Sequence, residues 1–287
     1  AHLLERVLDA CFEQTAQGAY EVVLVNDGST DATPEVIARA QARATVPFTV
    51  INQQNAGLAA GRNAGIARTT GERIIFIDDD VLPIPTFVAE HLRSHDRYPQ
   101  RVVRGGAINV ESFEDLPPPV WTIKNYSGNF FWTTNVSVPL ETIRAIGGFN
   151  ESFAEYGWED IDVGLRLRFS GVKATFNKNA LAYHWKPRPV RRDVPKMIRQ
   201  AQAQARTAVQ LFQMHPHWRT WLATGDYPAA RTLHSWIDRA TRDDKTEQAA
   251  LSGEGALTDK ELRAARRLAS RAYYQELNRA RTARTNG

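Results

Sequence analysis

The sequence predicts an α/β fold followed by a helical extension. Two runs of β-favouring residues, Tyr20–Val25 and Ile74–Ile77, each end in a polar turn. Segments with helical spacing of apolar residues lie between them, and strands that alternate with helices indicate a sheet covered by helices on both faces. Beyond Pro187 the pattern is that of helices and linkers. We therefore expect a doubly wound α/β half up to about Arg104, a second half of that domain, and then helices.

The composition excludes several classes of protein. The chain has 287 residues, of which 43% are hydrophobic and 24% charged, as in ordinary globular proteins with one large or two modest domains. Its one cysteine, Cys11, makes an internal disulfide impossible. No apolar run approaches the roughly eighteen residues of a membrane span. We expect a cytoplasmic protein, with peripheral contact at the inner face of the membrane as an alternative.

Charge is distributed unevenly along the chain. Residues 1–185 contain 16 Lys and Arg against 22 Asp and Glu, whereas residues 186–287 contain 20 against 10. A basic tail can meet anionic lipid headgroups or an anionic polymer, and it can equally be a solvated helix surface. A nucleic-acid partner is not expected, because no recognised nucleic-acid-binding module accompanies the charge.

The first two segments set up one edge of the predicted sheet. Leu3–Phe12 has helical spacing from the first residues without a cap, so we expect a region upstream to be missing. The strand Tyr20–Val25 runs into the turn Asn26–Asp31, and a helix starting near Pro34 follows. Asp27 is therefore expected at the edge of the sheet where ligands bind.

A glycine-rich turn follows a short strand at Phe48–Asn52. Asn55–Gly65 consists mostly of small residues and places Arg62 one turn into a helix. Backbone N–H groups at a helix N-terminus plus an arginine form a plausible diphosphate site. The small residues are equally explained by tight packing of the helix on the sheet.

Three consecutive carboxylates, Asp78–Asp80, follow the apolar run Ile74–Ile77, which reads as a buried strand of a parallel sheet. Adjacent carboxylates repel one another, and a bound divalent cation would relieve that repulsion. A solvated acidic turn is the alternative interpretation.

The second half contains a further acidic cluster. Strands are expected at Val102–Val110, at Asn129–Val138 and, as two separate strands, at Lys173–Phe176 and Ala180–Trp185. Trp158–Leu167 reads as an amphipathic helix whose dipole favours acids in its first turn, which explains Glu159 and Asp162 without a function. Asp160 is harder to explain in this way, because Trp158 beside it offers a flat surface for a sugar ring. His184 lies near the end of the last of these strands, and a lone histidine is more often structural than a ligand.

Beyond residue 190 the sequence predicts helices. A long helix extends from Asp193 to about Met214, residues 243–255 read as a linker, and Thr258–Glu261 is a capping box that opens a last helix to about Arg281. Between the first two segments, aromatic residues lie among arginines, a pattern found on membrane-facing surfaces and also in buried helical hairpins. These aromatics are Trp218, Trp221, Tyr227 and Trp236.

The order of these motifs resembles that of the inverting GT-A glycosyltransferases of family 2, with a C-terminal half similar to the galactosyltransferase-type domains of chondroitin-polymerase-like enzymes. The resemblance covers about Leu3 to Pro187, and it implies a Rossmann-like, nucleotide-sugar-binding sheet. It divides the chain into a nucleotide-sugar-binding half at 1–105, a catalytic and acceptor-binding half at 106–190, and a helical extension at 191–287. It departs from the family at the start, where the first strand and a Pro-Thr-Tyr-Asn-like turn are absent. The matching motifs are Asn26–Asp31, Asn55–Gly57, Ala60–Asn63, Asp78–Asp80, Gly147–Phe149, Trp158–Asp160 and His184.

The resemblance also implies roles for individual residues. Asp27 would read the nucleobase, Asp160 would be the catalytic base, and Asp80 with His184 would bind Mn²⁺ or Mg²⁺ on the diphosphate. Glu159 and Trp158 would bind the acceptor. The other residues of the nucleotide-sugar site would be Gly28, Ser29, Asn55, Gly57, Arg62, Asp78 and Asp79.

The predicted function is metal-dependent inverting transfer of a sugar from a nucleotide sugar, a UDP-sugar, to a hydroxyl of a glycan or lipid-linked acceptor. A metal across the diphosphate assists departure of the leaving group, and a carboxylate on the opposite side of the anomeric carbon takes the acceptor proton. Two alternatives remain open. One is a sugar nucleotidyltransferase, and the other is a non-catalytic module that binds a nucleotide sugar.

Overall fold

The computed structural model describes residues 1–16 and 18–285, and the chain forms two compact units. Residues 1–154 and 159–187 form the first unit, and residues 155–158 and 188–287 form the second. The expected α/β class with a helical C-terminal region is confirmed. The division of the first unit at residue 105 stays a prediction.

Strands and helices alternate along most of the first unit. Its strands are β1 Val22–Asp27, β2 Phe48–Gln53, β3 Arg73–Phe76, β4 Val81–Pro83, β5 Val102–Val110, β6 Val136–Pro139 and β7 Ala174–Trp185. Its helices are α1 Leu4–Phe12, α2 Thr33–Arg43, α3 Leu58–Arg68, α4 Phe87–Arg97, α5 Leu140–Ala145 and α6 Glu159–Phe169.

The described strands of this unit form two sheets. β1 and β2 are parallel, and the other five lie in the order β3-β6-β5-β7-β4. The prediction that β3 belongs to a parallel sheet is wrong, because its partner β6 is antiparallel, with Ile75 opposite Ser137. A continuous apolar run signals burial on both faces and does not fix the direction of the neighbouring strand.

Other predicted boundaries also differ. Only the end of the expected strand Asn129–Val138 forms a strand, β6. Before it, the Thr133 N–H donates to the Asp160 carboxylate instead of to a neighbouring strand. The two strands expected around His184 are one, β7, whose ladder with β5 shifts register between Arg104 and Gly106. β4 and α4 were not predicted.

A core of aromatic and branched residues supports the five-stranded sheet of the first unit. Phe76 of β3 contacts Phe131 and Phe149 edge to face, with ring centroids 5.6 and 5.5 Å apart. Val163 and Leu167 of α6 lie in the same buried cluster. This core anchors β3, which Asp78–Asp80 follow, and α6, whose first turn carries Glu159 and Asp160.

A buried polar network fixes the start of β6. His91 contacts the Ser137 hydroxyl at 2.8 Å and the Asn135 amide oxygen at 2.9 Å, and His95 contacts Ser137 at 2.8 Å. The Asn135 amide nitrogen donates to the carbonyls of Gly106 and Ala180. Burial lowers the pKa of both histidines to about 4, so they are neutral at physiological pH.

The second unit consists of α7 Val194–Met214, α8 Trp218–Thr224, α9 Pro228–Thr241, α10 Asp244–Leu251 and α11 Asp259–Thr285. Small side chains bring α7 and α11 close together, since Ala205 and Ala208 are buried beside Leu277. The capping box of α11 is confirmed, because the Thr258 N–H donates to Glu261 at 2.8 Å and the Glu261 N–H donates to the Thr258 hydroxyl at 3.3 Å.

The predicted linker at 243–255 is wrong. It contains α10, whose N-cap Asp243 accepts a hydrogen bond from the Thr246 N–H at 3.1 Å and whose Ala250 is fully buried. In the part of the chain that the structure describes, no helix has both the length and the apolar character needed to cross a bilayer.

Candidate active site

Asp27 organises the loops at the carboxyl ends of β1 and β2. Its Oδ1 accepts hydrogen bonds from the Gln53 side chain at 2.8 Å and from the Ala56 N–H at 2.9 Å, and its Oδ2 accepts one from the Gly57 N–H at 2.9 Å. Burial by itself would raise the pKa of Asp27, but these donors outweigh it and the pKa is lowered. The carboxylate is therefore ionised and fixed in direction.

Gly28 lets the two loops meet. Its φ is +75°, and a Cβ there would lie 2.7 Å from the Asn55 backbone nitrogen, so a larger residue would push the loops apart. The Ser29 N–H donates to the Asn26 side chain in the adjoining turn. The structure thus brings together the predicted nucleotide-site residues Asp27, Gly28, Asn55 and Gly57, with Ser29 next in the chain.

The small residues of α3 allow it to lie close to β1. A Cβ on Gly61 would be 3.9 Å from the Asp27 Cβ, and one on Gly65 would be 3.5 Å from Val25. Tight packing, which the sequence left open, is therefore one reason for the small residues in this helix.

Arg62 of α3 joins acids from two distant parts of the chain. One terminal nitrogen lies 2.9 Å from Glu159 Oε1 and 3.3 Å from Asp160 Oδ1, and the other lies 3.7 Å from Asp78 Oδ1. Burial would lower the pKa of this guanidinium, but the carboxylates of Asp160, Asp78 and Glu159 raise it overall. Asp78 and Asp160, to which the family resemblance gives separate roles, thus lie around one guanidinium. The predicted contact of Arg62 with a nucleotide stays a prediction.

The two carboxylate oxygens of Asp160 lie side by side with other polar groups, but within the described chain only one of them accepts hydrogen bonds. Its Oδ2 accepts hydrogen bonds from the N–H and the hydroxyl of Thr133, both at 3.0 Å. Its Oδ1 has no hydrogen-bond partner among residues 1–16 and 18–285, although Arg62 lies 3.3 Å away. Burial, opposed by the charge of Arg62 and reinforced by Glu159, raises the pKa of Asp160 to about 6. A carboxyl with this pKa can take up and release a proton near neutral pH.

Two threonines hold the acids, and sequence reasoning missed both. Thr133 binds Asp160, and the Thr134 hydroxyl donates to Asp78 Oδ2 at 2.9 Å. The available signal was a pair of hydroxyls inside an aromatic run, directly before Asn135.

The pairing of β4 with β7 brings Asp80 next to His184. Val81 lies opposite His184 in this antiparallel ladder, and the His184 Nε2 is 3.6 Å from Asp80 Oδ1, too far for a hydrogen bond. The His184 side chain is 5% exposed, and its Nδ1 has no hydrogen-bond partner in the described chain. Asp80 is 35% exposed, so its carboxylate faces solvent.

This pair fits a divalent cation. One carboxylate and one imidazole suit Mn²⁺, while Mg²⁺ is commonly shared between a few protein oxygens and substrate phosphates. The described residues contain no cluster of three or more acids, histidines or cysteines arranged to hold an ion alone. A cation at Asp80 and His184 would thus need phosphate or water oxygens to complete its coordination. Beside it, burial and then the charges of Asp80 and Asp78 raise the pKa of Asp79.

The two predicted acceptor residues have different environments. Glu159 is 8% exposed and its carboxylate is bound to Arg62. Trp158 belongs to the second unit, where its indole N–H donates to the Gln204 carbonyl at 2.7 Å. Among the described residues it is the one non-glycine with a positive φ, +75°. The acceptor roles of both residues stay predictions.

A mixed α/β unit with acids at the ends of its strands and a carboxylate–histidine pair is the arrangement of the GT-A class of glycosyltransferases. Residues 1–150 match Glycosyl transferase family 2, so the chain belongs to this family. Residues 121–186 match the N-terminal domain of galactosyltransferase. The resemblance inferred from the motifs is confirmed.

Individual relatives agree with this assignment. The chain is 28% identical over 217 residues to validoxylamine A glucosyltransferase from Streptomyces hygroscopicus, an alignment covering 63% of this chain and 51% of that protein. It is 22% identical over 230 residues to chondroitin synthase of Pasteurella multocida, covering 65% of this chain and 24% of the synthase. The chain thus spans about half the length, or less, of these two relatives.

A solved structure shares the fold. A mannosyltransferase from Pyrobaculum calidifontis, in complex with GDP-Man and Mn²⁺, superimposes with a TM-score of 0.60 at 19% identity, covering 97% of this chain and 82% of the other. At this identity the likeness supports the fold alone.

Proposed function

We propose that the chain catalyses metal-dependent, inverting transfer of a hexosyl group from a nucleotide sugar to a hydroxyl of a glycan or lipid-linked acceptor, as in polysaccharide biosynthesis. The observation that carries the proposal is Asp160, a buried carboxyl with a pKa of about 6 whose Oδ2 is fixed by Thr133 and whose Oδ1 faces Arg62 without a hydrogen bond from any described residue.

Asp160 acts as the base in this scheme. The acceptor hydroxyl forms the new bond to the anomeric carbon as its proton passes to Oδ1, and the bond to the nucleoside diphosphate breaks on the opposite side. One in-line displacement of this kind inverts the anomeric configuration. A pKa just below neutral keeps most of the carboxyl ionised while leaving it basic enough to accept the proton.

Arg62 has a positioning role. Its guanidinium neutralises the mutual repulsion of Asp78, Glu159 and Asp160, which would otherwise raise the pKa of the base further. The hydrogen bond from Arg62 to the Thr133 hydroxyl, at 2.8 Å, connects it to the group that orients Asp160.

Asp80 and His184 would hold Mn²⁺ or Mg²⁺. When bound, such an ion neutralises the charge that develops on the leaving diphosphate. The mannosyltransferase with this fold was solved with Mn²⁺ and GDP-Man, and the proposal extends a divalent ion and a nucleotide-sugar donor from that protein to this chain. We propose a UDP-sugar as the donor, bound by the loops around Asp27 and Asn55. Because the solved relative holds a GDP-sugar, both nucleotides belong in the test.

The experiment separates donor binding from chemistry. Asp160→Asn keeps the shape of the side chain but removes the base, so transfer should fall by about 10²-fold or more. Stabilisation of the same variant by Mn²⁺ and a UDP- or GDP-sugar, measured as a rise in Tm, should persist because ligand binding stabilises the folded state. Asp96→Asn on α4, an exposed residue outside the site, is the matched control.

Full transfer activity in Asp160→Asn would refute the assigned base. Donor binding by the unmodified chain without turnover on any acceptor would instead favour a non-catalytic module that binds nucleotide sugars.

A further inference from the structure

Helix α9 packs with its polar side inward. Arg231, His234 and Asp238 recur at helical spacing and are all half-buried. Asp238 accepts two hydrogen bonds from Arg271 of α11, at 2.8 and 2.9 Å, and the His234 ring stacks on Tyr274 with centroids 4.1 Å apart. Ion pairs and a ring stack thus attach this side of α9 to its own unit.

The opposite side of α9 is apolar and faces solvent. Leu233, Trp236 and Ile237 are 57%, 67% and 42% exposed, and Ala229 and Ala240 extend the same stripe. None of the fourteen residues of α9, all of which the structure describes, is buried. An amphipathic helix of a soluble domain normally turns its apolar stripe to the core. Because the stripe faces away from the core of its unit, we expect an apolar partner outside that unit to cover it.

Helix α8, three residues earlier in the chain, also exposes large apolar side chains. Trp218 is 51% exposed and Leu222 is 59% exposed, and the Arg219 guanidinium lies 4.3 Å from the centre of the Trp218 ring. The sequence left open whether these aromatics are packed in a hairpin or meet a membrane. The exposure of Trp218 and Trp236 is not what a buried hairpin would produce, whereas Trp221 stacks on Phe212 of α7 with ring centroids 5.7 Å apart.

Charge distinguishes between possible partners. Residues 215–242 contain two acids, Asp226 and Asp238, and both are paired with arginines inside the unit. Arg239 is exposed on the flank of α9, and Arg242, at its end, is exposed and paired with Asp244 at 2.7 Å. Exposed tryptophan and leucine beside arginines, without an exposed acid in this segment, complement an anionic headgroup layer over a hydrocarbon core.

We propose that the exposed stripe of α9, together with α8, docks on an anionic lipid bilayer, with α9 lying in the plane of the headgroups. This surface is independent of the transfer reaction, because it involves none of the residues assigned to the site. Its test therefore needs no donor or acceptor.

The test is flotation with lipid vesicles. The 287-residue chain should bind vesicles that contain phosphatidylglycerol and bind poorly to phosphatidylcholine alone, and added salt should weaken the binding. The variant Leu233→Ser/Trp236→Ser/Ile237→Ser should lower the partition coefficient by about tenfold or more, because each substitution removes an apolar side chain that would enter the bilayer. Val120→Ser/Ile123→Ser removes apolar groups that are 65% and 73% exposed elsewhere and should not change binding.

Three outcomes would overturn the proposal. The first is no binding of the unmodified chain to anionic vesicles, and the second is equal binding by the triple variant. The third is self-association in the absence of lipid that the triple variant abolishes, since the stripe would then be an interface between copies of this chain. An unchanged Tm in the triple variant would establish that any loss of binding reflects the surface and not the fold.

Discussion

Replacing Thr133 by valine should shift the pH dependence of transfer. Valine removes the hydroxyl that donates to Asp160 Oδ2 at 3.0 Å but keeps the backbone N–H that donates to the same oxygen. A hydrogen bond to a charged group contributes about 1.5 kcal/mol or more, and about 1.4 kcal/mol corresponds to one pKa unit. We therefore expect the pKa of Asp160, about 6 in the intact site, to rise by about one unit.

The assay is kcat/KM as a function of pH, because its acid limb reports the base of the free enzyme. The limb should move to higher pH in Thr133→Val, and the plateau at high pH should change much less. Thr133→Ser, which keeps the hydroxyl, is the matched control and should leave the limb near its original position. An acid limb that does not move in Thr133→Val would refute the assignment of Asp160 as the group that titrates.

Arg62→Met should destabilise the fold by about 3 kcal/mol or more, because three carboxylates would lose their shared cation. Urea unfolding measures this loss, Arg62→Lys should restore part of it, and a change below about 1 kcal/mol would contradict it. Stability should also fall as the pH drops from 6.5 to about 4, where the unfolded chain binds protons that burial denies to His91 and His95. One imidazole contributes a loss on the order of 3 kcal/mol, and an unfolding free energy that stays constant over this range would refute the argument.

Local signals in the sequence were enough to identify the candidate site residues. A strand ending in Asn26–Asp31 and an apolar run ending in Asp78–Asp80 indicate strand ends, since backbone preference and turn chemistry act over a few residues. The order of the motifs then indicated the family, which the matches at residues 1–150 and 121–186 confirm.

The contacts between these residues were not predictable in the same way. Nothing near Arg62 in the sequence indicates that it pairs with Glu159, 97 positions later, or that Thr133 holds Asp160. The predicted parallel direction of the strand next to β3 was also wrong. A strand buried on two faces has the same apolar run whether its neighbour is parallel or antiparallel.

The helical unit shows a further kind of limit. The amphipathic pattern of α9 identifies an apolar stripe but not the side that packs, and the ion pair between Asp238 and Arg271 turned that stripe outward. The prediction of a linker at 243–255 was wrong because the Asp243 carboxylate caps a helix, α10, in a segment of mostly polar residues.

The sequence by itself determined the α/β class, the family and the identity of the acids, because these depend on periodicity and on motifs within a few residues. Only the tertiary structure decided that Arg62 joins the acids, that Asp160 is buried with a raised pKa, and that the apolar stripe of α9 faces outward. The physical reason is that burial and charge pairing depend on distances through space, which the separation of residues along the chain does not fix.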